Sequence, residues 1–315
     1  MKRYWIWIKL FIAAAVLAYL TFHLQKEKIN LKEVFQFANS GYLIAVVALL
    51  IPNLFVQFLK WRYLLRLCKP GCDWGEVIHS VLGGSTLGFI TPGRLGEWAR
   101  ALFIQHDHKI RITALAIIDK FFNLLVTMIS GALGLLYIFK YAISLPIYAL
   151  VPVMGLSSIG LVILVYLAVH PDFIKGIFYT LFPFLPKRME WRELLDAMDI
   201  FHYRQAWITF GFSLILFLIY SVQFFLAIIA FEQVRLVDSV ASSSAALFAK
   251  SWLPISFGEL GIREGAMMYF YGKVGVGKSS AFLASLIVWF VNVVTPAVLG
   301  LYALIRMDGN GKNQS

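Results

Sequence analysis

Residues 93–101 read GRLGEWARA, and residues 258–266 read GELGIREGA. Both segments fit the pattern GxLGxxxxA, and each carries Glu and Arg close to its second glycine. Each lies in a moderately apolar stretch broken by Gly and Pro, residues 74–104 and 242–271, and a long apolar stretch follows each. Chance similarity between glycine-rich segments is the alternative. The shared context favours an internal repeat.

Long apolar blocks surround both segments. Hydrophobic residues make up 60% of the 315 positions and charged residues 14%, whereas a soluble domain has about 45–50% and about 25%. Each block is long enough to cross roughly 30 Å of hydrocarbon. The sequence therefore predicts an all-α polytopic integral membrane protein with about six full transmembrane helices and two re-entrant helical segments. The six predicted spans are residues 4–22, 42–59, 112–139, 147–169, 207–231 and 281–305.

The chain is predicted to form a single transmembrane domain over residues 1–315, with half-repeats at about 42–140 and 207–305. The polar stretch between the halves carries apolar residues at steps of three and four, which is one face of a helix. We expect this helix, residues 187–203, to lie on the cytoplasmic membrane surface.

The Lys and Arg residues are distributed unevenly between the two sides of the predicted membrane. The larger share of the 28 falls at the N-terminus, in the 60–111 region, in the 170–206 connection and in the tail. Lys60 is assigned to the connection at 60–111, because the apolar block before it ends at Leu59. Lys250 is assigned to the side of the membrane that carries fewer basic residues. The basic side should be cytoplasmic. We therefore expect both termini to face the cytoplasm. The expected membrane is the plasma (inner) membrane of a bacterium.

This orientation makes the two broken segments enter from opposite faces, which is the pattern of inverted-repeat transporters. A broken helix frees backbone groups that lipid cannot satisfy, so it must line a cavity or be buried in protein. Helix N-termini and arginines together favour an anion. Mutual pairing of Arg and Glu is the alternative. The predicted lipid- or anion-binding residues are Arg94, Glu97, Arg100, Glu259, Arg263 and Glu264.

Four polar residues lie inside predicted spans: Asp119, Lys120, Asn123 and Asn292. Ionisable residues in a membrane are costly and often functional. Asp119 and Asn123 share a helix face at four-residue spacing. The alternative is that Asp119 is neutralised by its neighbour Lys120, whose amine reaches towards the headgroups.

Three other patterns carry no predicted site. Residues 272–279 fit the phosphate-loop pattern, but they lead into a membrane span and no acidic residue follows before Asp308. In the stretch His106-Asp107-His108 the two histidines do not share a helix face, and the pair Cys68 and Cys72 lacks a third and fourth metal ligand nearby. We therefore predict no metal site and no cofactor. The net charge of +11 is explained by membrane orientation, so nucleic-acid binding is not expected.

The two glycine motifs carry a family resemblance. TPGRLGEWARA at 91–101 and LPISFGELGIREG at 253–265 resemble the paired motifs of the lysylphosphatidylglycerol synthase transmembrane domain family, also called the flippase-like domain. The pattern of spans matches over about residues 1–306. The resemblance implies a lipid-handling membrane domain, which some members join to a soluble aminoacyl transferase. This chain has no room for that transferase, so we expect lipid movement and no enzymatic activity.

The sequence thus favours a protein that binds and translocates an anionic lipid or lipid-linked precursor. A membrane-embedded transferase, or an accessory subunit that works with enzymes of lipid or glycan synthesis, is the first alternative. A transporter of a small soluble anion is the second. The expected partner is an anionic membrane lipid, and the sequence indicates neither an energy source nor a direction of transport.

Site-directed labelling tests the predicted orientation. A cysteine at Lys109 should react with a membrane-impermeant thiol reagent added from the cytoplasmic side, and one at Lys273 should react from outside. Labelling of the Lys109 position only from outside would overturn the orientation.

Overall fold

The computed structural model describes residues 38–91, 93–105, 109–143, 201–251 and 261–311, with short helical pieces between 148 and 166. Side chains are described up to residue 303. The predicted span at residues 4–22, most of the span at 147–169, residues 187–200 of the predicted surface helix, and Glu259 lie outside the described residues.

The described part of the chain is helical and contains no β-strand. In chain order its elements are α1 (Ser40–Ala48), α2 (Leu50–Leu65), α3 (Trp74–Ile90), a 3₁₀ helix (Leu95–Phe103), α4 (Lys109–Tyr141), α5 (Tyr203–Ile229), α6 (Leu236–Ser251), α7 (Ile262–Lys273), α8 (Lys278–Trp289), a π-helical turn (Phe290–Val294) and α9 (Thr295–Gly311).

Four helical stretches in the described part of the chain are long and apolar enough to cross a membrane: Ser40–Leu65, Lys109–Tyr141, Tyr203–Ile229 and Lys278–Ala303. They coincide with four of the six predicted spans and extend each of them by a few residues at one end or both. The predicted class, an all-α integral membrane protein, is confirmed.

The first broken segment consists of α3 and the 3₁₀ helix, which pack against each other. Between them Gly93 and Arg94 adopt positive φ angles of 60° and 57°. That conformation is costly for arginine, so surrounding contacts must hold it. The Thr91 hydroxyl accepts from the Gly96 N–H at 2.7 Å, and a Cβ on Gly84 would lie 2.9 Å from Arg100 Cβ. The absence of that Cβ lets the two arms lie in contact.

The second broken segment consists of α6 and α7, which also pack against each other. Helix α7 begins after Gly261, whose φ of 91° suits glycine. The Glu264 carboxylate accepts from the Gly261 N–H at 2.6 Å and so satisfies a backbone donor at this helix start. Deeper in the segment the hydroxyls of Tyr271 and Ser239 are 2.8 Å apart.

Each broken segment packs against a helix of the opposite half, where the halves are residues 42–140 and 207–305. Helix α3 packs against α9, and α6 packs against α4, so each broken segment contacts the span that follows the other one. Glycines permit both approaches: a Cβ on Gly300 would lie 2.1 Å from the Leu82 carbonyl oxygen, and one on Gly134 would lie 2.5 Å from that of Ala241. Because lipid tails are as apolar as leucine, close packing of small residues replaces water exclusion as the source of stability here.

Glycine substitutions test this packing. Gly300→Ala and Gly134→Ala should each destabilise the protein by about 1–3 kcal/mol, because the new methyl group would press on backbone of the other half. Thermal unfolding of the detergent-purified protein measures the effect. Gly211→Ala in α5 is the matched control, since a Cβ there meets nothing within 4 Å. Equal melting temperatures for all three variants would contradict this account of the interface.

Candidate functional site

A polar stripe runs along α2 where Asn53, Gln57 and Lys60 follow each other at steps of four and three. Lys60 is only 1% exposed. Its amine pairs with Asp119 at 2.6 Å and donates to Asn123 Oδ1 at 2.7 Å and to Ser213 Oγ at 2.8 Å. The prediction that Lys60 lies in a connection is therefore wrong, because α2 continues to Leu65 and the lysine points into the protein.

Asp119 has a second cationic partner. The guanidinium of Arg100, carried by the 3₁₀ helix, pairs with its other carboxylate oxygen and lies 4.1 Å from the ring centroid of Trp61. Asp119 is thus held between two cations from different elements. The alternative that Lys120 neutralises Asp119 is wrong, since the Lys120 amine pairs with Glu97 instead.

Glu97 forms the second such arrangement. Its carboxylate pairs with Arg94 in the turn of the first broken segment and with Lys120 on α4. Each of the two groups therefore places one acid between two cations. Burying an isolated ion is very costly, and partners of opposite charge lower that cost. Among the six side chains described in these two groups, positive charge exceeds negative charge.

The second half carries a separate buried group. Arg263 is fully buried, pairs with Glu264, and donates from Nε to Ser285 Oγ at 3.0 Å. Further along, the π-helical turn carries Asn292, whose amide donates to Gln223 Oε1 and to the Val288 carbonyl, both at 3.0 Å.

A cavity of about 280 Å³ lies between α2, α4, α5 and α6. Three cations line it: Arg94, Lys120 and Lys250. Its described lining contains no carboxylate. Its remaining described lining residues comprise the amides Asn53, Gln57, Asn123 and Asn292, the hydroxyls Thr127, Ser213, Tyr220 and Ser251, and the apolar Leu124, Leu216, Phe217 and Leu247.

A smaller space of about 20 Å³ adjoins this cavity and shares Gln57, Lys120, Asn123 and Leu216 with it. The ion groups of the first half lie around the smaller space, which is lined by Lys60, Glu97, Arg100 and Asp119 among others. The larger cavity therefore lies next to the buried ion groups of the first half.

The structure brings the predicted residues of the first half together, and Asn292 of the second half joins them. Arg94, Lys120, Asn123 and Asn292 line the larger cavity, while Glu97, Arg100 and Asp119 line the smaller one. Arg263 and Glu264 line neither.

Sequence reasoning missed two cations and two amides of this site, Lys60, Lys250, Asn53 and Gln57, as well as the hydroxyl residues that line it. Asn53, Gln57 and Lys60 could have been found from their spacing on one helix face. Lys250 lies at the end of an apolar run on α6. The sequence analysis therefore placed it on the side opposite the cytoplasm and did not identify it as a cavity residue.

The described residues contain no cluster of three or more His, Cys, Asp or Glu that could hold a metal ion. The glycine-rich stretch that fits the phosphate-loop pattern forms the connection between α7 and α8, where the Gly277 N–H donates to Glu232 at 2.8 Å.

Removing the acid of the first ion group should be more damaging than removing one of its cations. Asp119→Asn leaves Lys60 and Arg100 without their carboxylate and should cost about 3–5 kcal/mol of stability. Lys60→Met should cost less, because Asp119 keeps Arg100. Melting temperatures in detergent provide the comparison, with Glu76→Gln as control because Glu76 and its partner Lys69 are both partly exposed. A larger loss for Lys60→Met than for Asp119→Asn would show that Asp119 does not bridge the two cations.

Comparison with known proteins gives one match. No curated protein and no solved structure matches the chain. The family described as "Lysylphosphatidylglycerol synthase TM region" matches residues 6–300, which include both glycine motifs, the ion groups and every described residue that lines the cavity. This confirms the resemblance predicted from the motifs and links the chain to lipid or lipid-linked processes. The chain is a member of the lysylphosphatidylglycerol synthase transmembrane region family.

Proposed function

We propose that this protein binds the anionic headgroup of a membrane lipid or lipid-linked precursor in the larger cavity and translocates it across the bilayer. The observation that carries the proposal is the lining of that cavity. Arg94, Lys120 and Lys250 line it, and its described lining holds no carboxylate. A phosphate is the anion that every membrane phospholipid brings to such a site.

Electrostatics inside a membrane protein strengthens this argument. Charges interact more strongly in a medium of low dielectric constant than in water. Arg94 and Lys120 share the single carboxylate of Glu97. A phosphate that enters the cavity would therefore contact two cations that share one carboxylate. It would either bind these cations alongside Glu97 or replace Glu97 as their partner.

The arrangement of helices supports translocation rather than binding alone. The cavity is walled by α2 and α4 of the first half and by α5 and α6 of the second. We infer that the two broken segments are re-entrant and belong to an inverted repeat, as in transporters that move two halves about a central site. The exchange of contacts between each segment and the opposite half is consistent with such a pairing.

Transport by the purified protein tests the proposal directly. Vesicles that contain the protein and a trace of phosphatidylglycerol with a fluorescent acyl chain are treated with a membrane-impermeant quencher. Lipid in the inner leaflet should become quenchable faster than in protein-free vesicles. Arg94→Gln and Lys120→Gln should each slow this rate by about 10- to 150-fold, the range expected for losing one charged contact.

Lys140→Gln is the matched control because Lys140 lies on the same helix as Lys120, outside the cavity, and stacks on Tyr141. It should leave the rate unchanged. Mass spectrometry of the lipids after incubation separates the transferase alternative. A wild-type protein that alters the headgroup without accelerating quenching would overturn the translocation proposal in favour of an enzyme.

A further inference from the structure

The buried apolar residues in the described part of the chain form two hydrophobic cores. The first core joins α1, α6, α7, α8 and the later parts of α4 and α5, and the second joins α2, α3, the 3₁₀ helix and the earlier parts of α4 and α5. The span Ser40–Leu65 passes from Val46 in the first core to Trp61 in the second. The span Lys278–Ala303 leaves the first core after Val291, and its continuation α9 packs against α3 of the second.

Each of these two spans is distorted where it crosses the boundary between the cores. In the first, α1 ends at Ala48 and α2 begins at Leu50. Pro52 has no N–H to donate to the carbonyl of Ala48, so one backbone hydrogen bond of the helix is missing there. In the last span the π-helical turn Phe290–Val294 widens the helix, and Pro296 removes another donor just beyond it. Sharp bends in helices occur at prolines and at π-helical turns.

The larger cavity lies at the same boundary. It is lined by Asn53, just after the break in the first span, and by Asn292 in the π-helical turn. On α5 its lining residue Ser213 lies between Ala206 of the second core and Phe224 of the first. A bend at either distortion would therefore change the width of the cavity.

The helices α4 and α5 cross the boundary without a break. Near it the Thr127 hydroxyl donates to the Asn123 carbonyl, and the Ser213 hydroxyl donates to the Thr209 carbonyl, both at 2.9 Å. Such bonds from a hydroxyl to the carbonyl four residues earlier often bend a helix. These two helices are therefore able to follow a bend in the first and last spans.

One side chain connects the two distortions. Gln223 of α5 is fully buried, and its Nε2 donates to the Val46 carbonyl at 3.0 Å, two residues before α1 ends. Its Oε1 accepts from Asn292 Nδ2 in the π-helical turn, also at 3.0 Å. A buried amide costs stability unless it is hydrogen-bonded, and Gln223 directs the two ends of its amide to these two helices.

We propose that the break at residues 48–52 and the π-helical turn Phe290–Val294 are two hinges, and that Gln223 ties them so that the second core swings against the first and changes the width of the larger cavity. This inference rests on the proposed function for its purpose, but it concerns how the protein moves and not what it carries. Hinges absorb a large motion at a few residues. A bend of about 20° moves the far end of α2, about 24 Å from the hinge, by about 8 Å.

Distances between spin labels test the two hinges. In a variant without native cysteines, one label is attached at Val237 on α6 and the second at Arg66 after α2 or at Leu301 on α9, all of which are exposed. Labels at Val237 and at the exposed Ile44 on α1 report on the first core alone and are the control pair. In vesicles of phosphatidylcholine and phosphatidylglycerol, the distances to Arg66 and Leu301 should each show two populations, separated by up to about 8 Å. The control pair should show one.

Two substitutions show whether Gln223 ties the hinges. Pro52→Ala restores the missing backbone donor and should leave one population at Arg66 and, because the hinges are tied, one at Leu301 as well. When Gln223→Leu is added, the effect of Pro52→Ala should be confined to Arg66. Ser221→Ala is the matched control for Gln223→Leu, since Ser221 is buried on the same helix and donates within that helix.

Each alternative result has a defined meaning. A single distance at Arg66 in the protein without Pro52→Ala overturns the hinges, and an effect of Pro52→Ala that stays at Arg66 while Gln223 is present overturns the tie. Asn292→Ala breaks the same bridge from the other helix and decides the matter if Gln223→Leu does not fold. Lipid that crosses the vesicle membrane while both distances stay fixed overturns the hinges and leaves translocation standing. Two populations without lipid movement support the hinges and overturn translocation.

Discussion

Hydrocarbon offers no hydrogen bonds, and this constraint accounts for both the broken segments and the paired charges. A helix that breaks inside a membrane frees backbone donors and acceptors that only protein or trapped water can satisfy. In the first segment Thr91 accepts from the Gly96 N–H, and in the second Glu264 accepts from the Gly261 N–H. Bringing partners this close requires arms in contact, and contact requires residues without side chains. Glycine therefore lies where the first segment meets its own second arm and where each segment meets the opposite half.

The same constraint governs the charged residues. A cation within the protein must find an acid, and each of the two buried acids of the first half pairs with two cations. Asp119 pairs with Lys60 and Arg100, and Glu97 pairs with Arg94 and Lys120. The second half instead pairs Arg263 with Glu264 and closes that pair off from both cavities. The two halves share a sequence pattern but use it differently. The first half supplies the cavity with Arg94, Lys120 and three of its four amides, and the second half supplies Lys250 and Asn292.

Local patterns predicted the helices well and the partners poorly. Composition predicted four of the described spans, and the two motifs predicted the family. The position of Asp119, Lys120, Asn123 and Asn292 inside apolar spans marked these polar residues as unusual. Lys60 was misplaced because an apolar run stops at Leu59, whereas its helix continues to Leu65. The charge of Lys60 is paired with a carboxylate 59 residues further along the chain. Asp119 and Lys120 are adjacent in sequence but point about 100° apart around the helix, so they pair with different elements. Partners set by tertiary packing leave no trace in neighbouring residues.

The contact between α3 and α9 joins the first broken segment to the last helix of the described chain. Thr86 donates to the Ala297 carbonyl at 2.8 Å, and Gly300 lies against Leu82. During synthesis α3 leaves the ribosome more than two hundred residues before its partner. The glycine-rich surface of α3 therefore stays uncovered in the membrane until α9 is synthesised. The first half cannot reach its final packing before the last span has inserted. Biosynthesis of this protein should thus end in one late assembly step, and nascent chains that stop before α9 should be the natural substrates of membrane quality-control proteases.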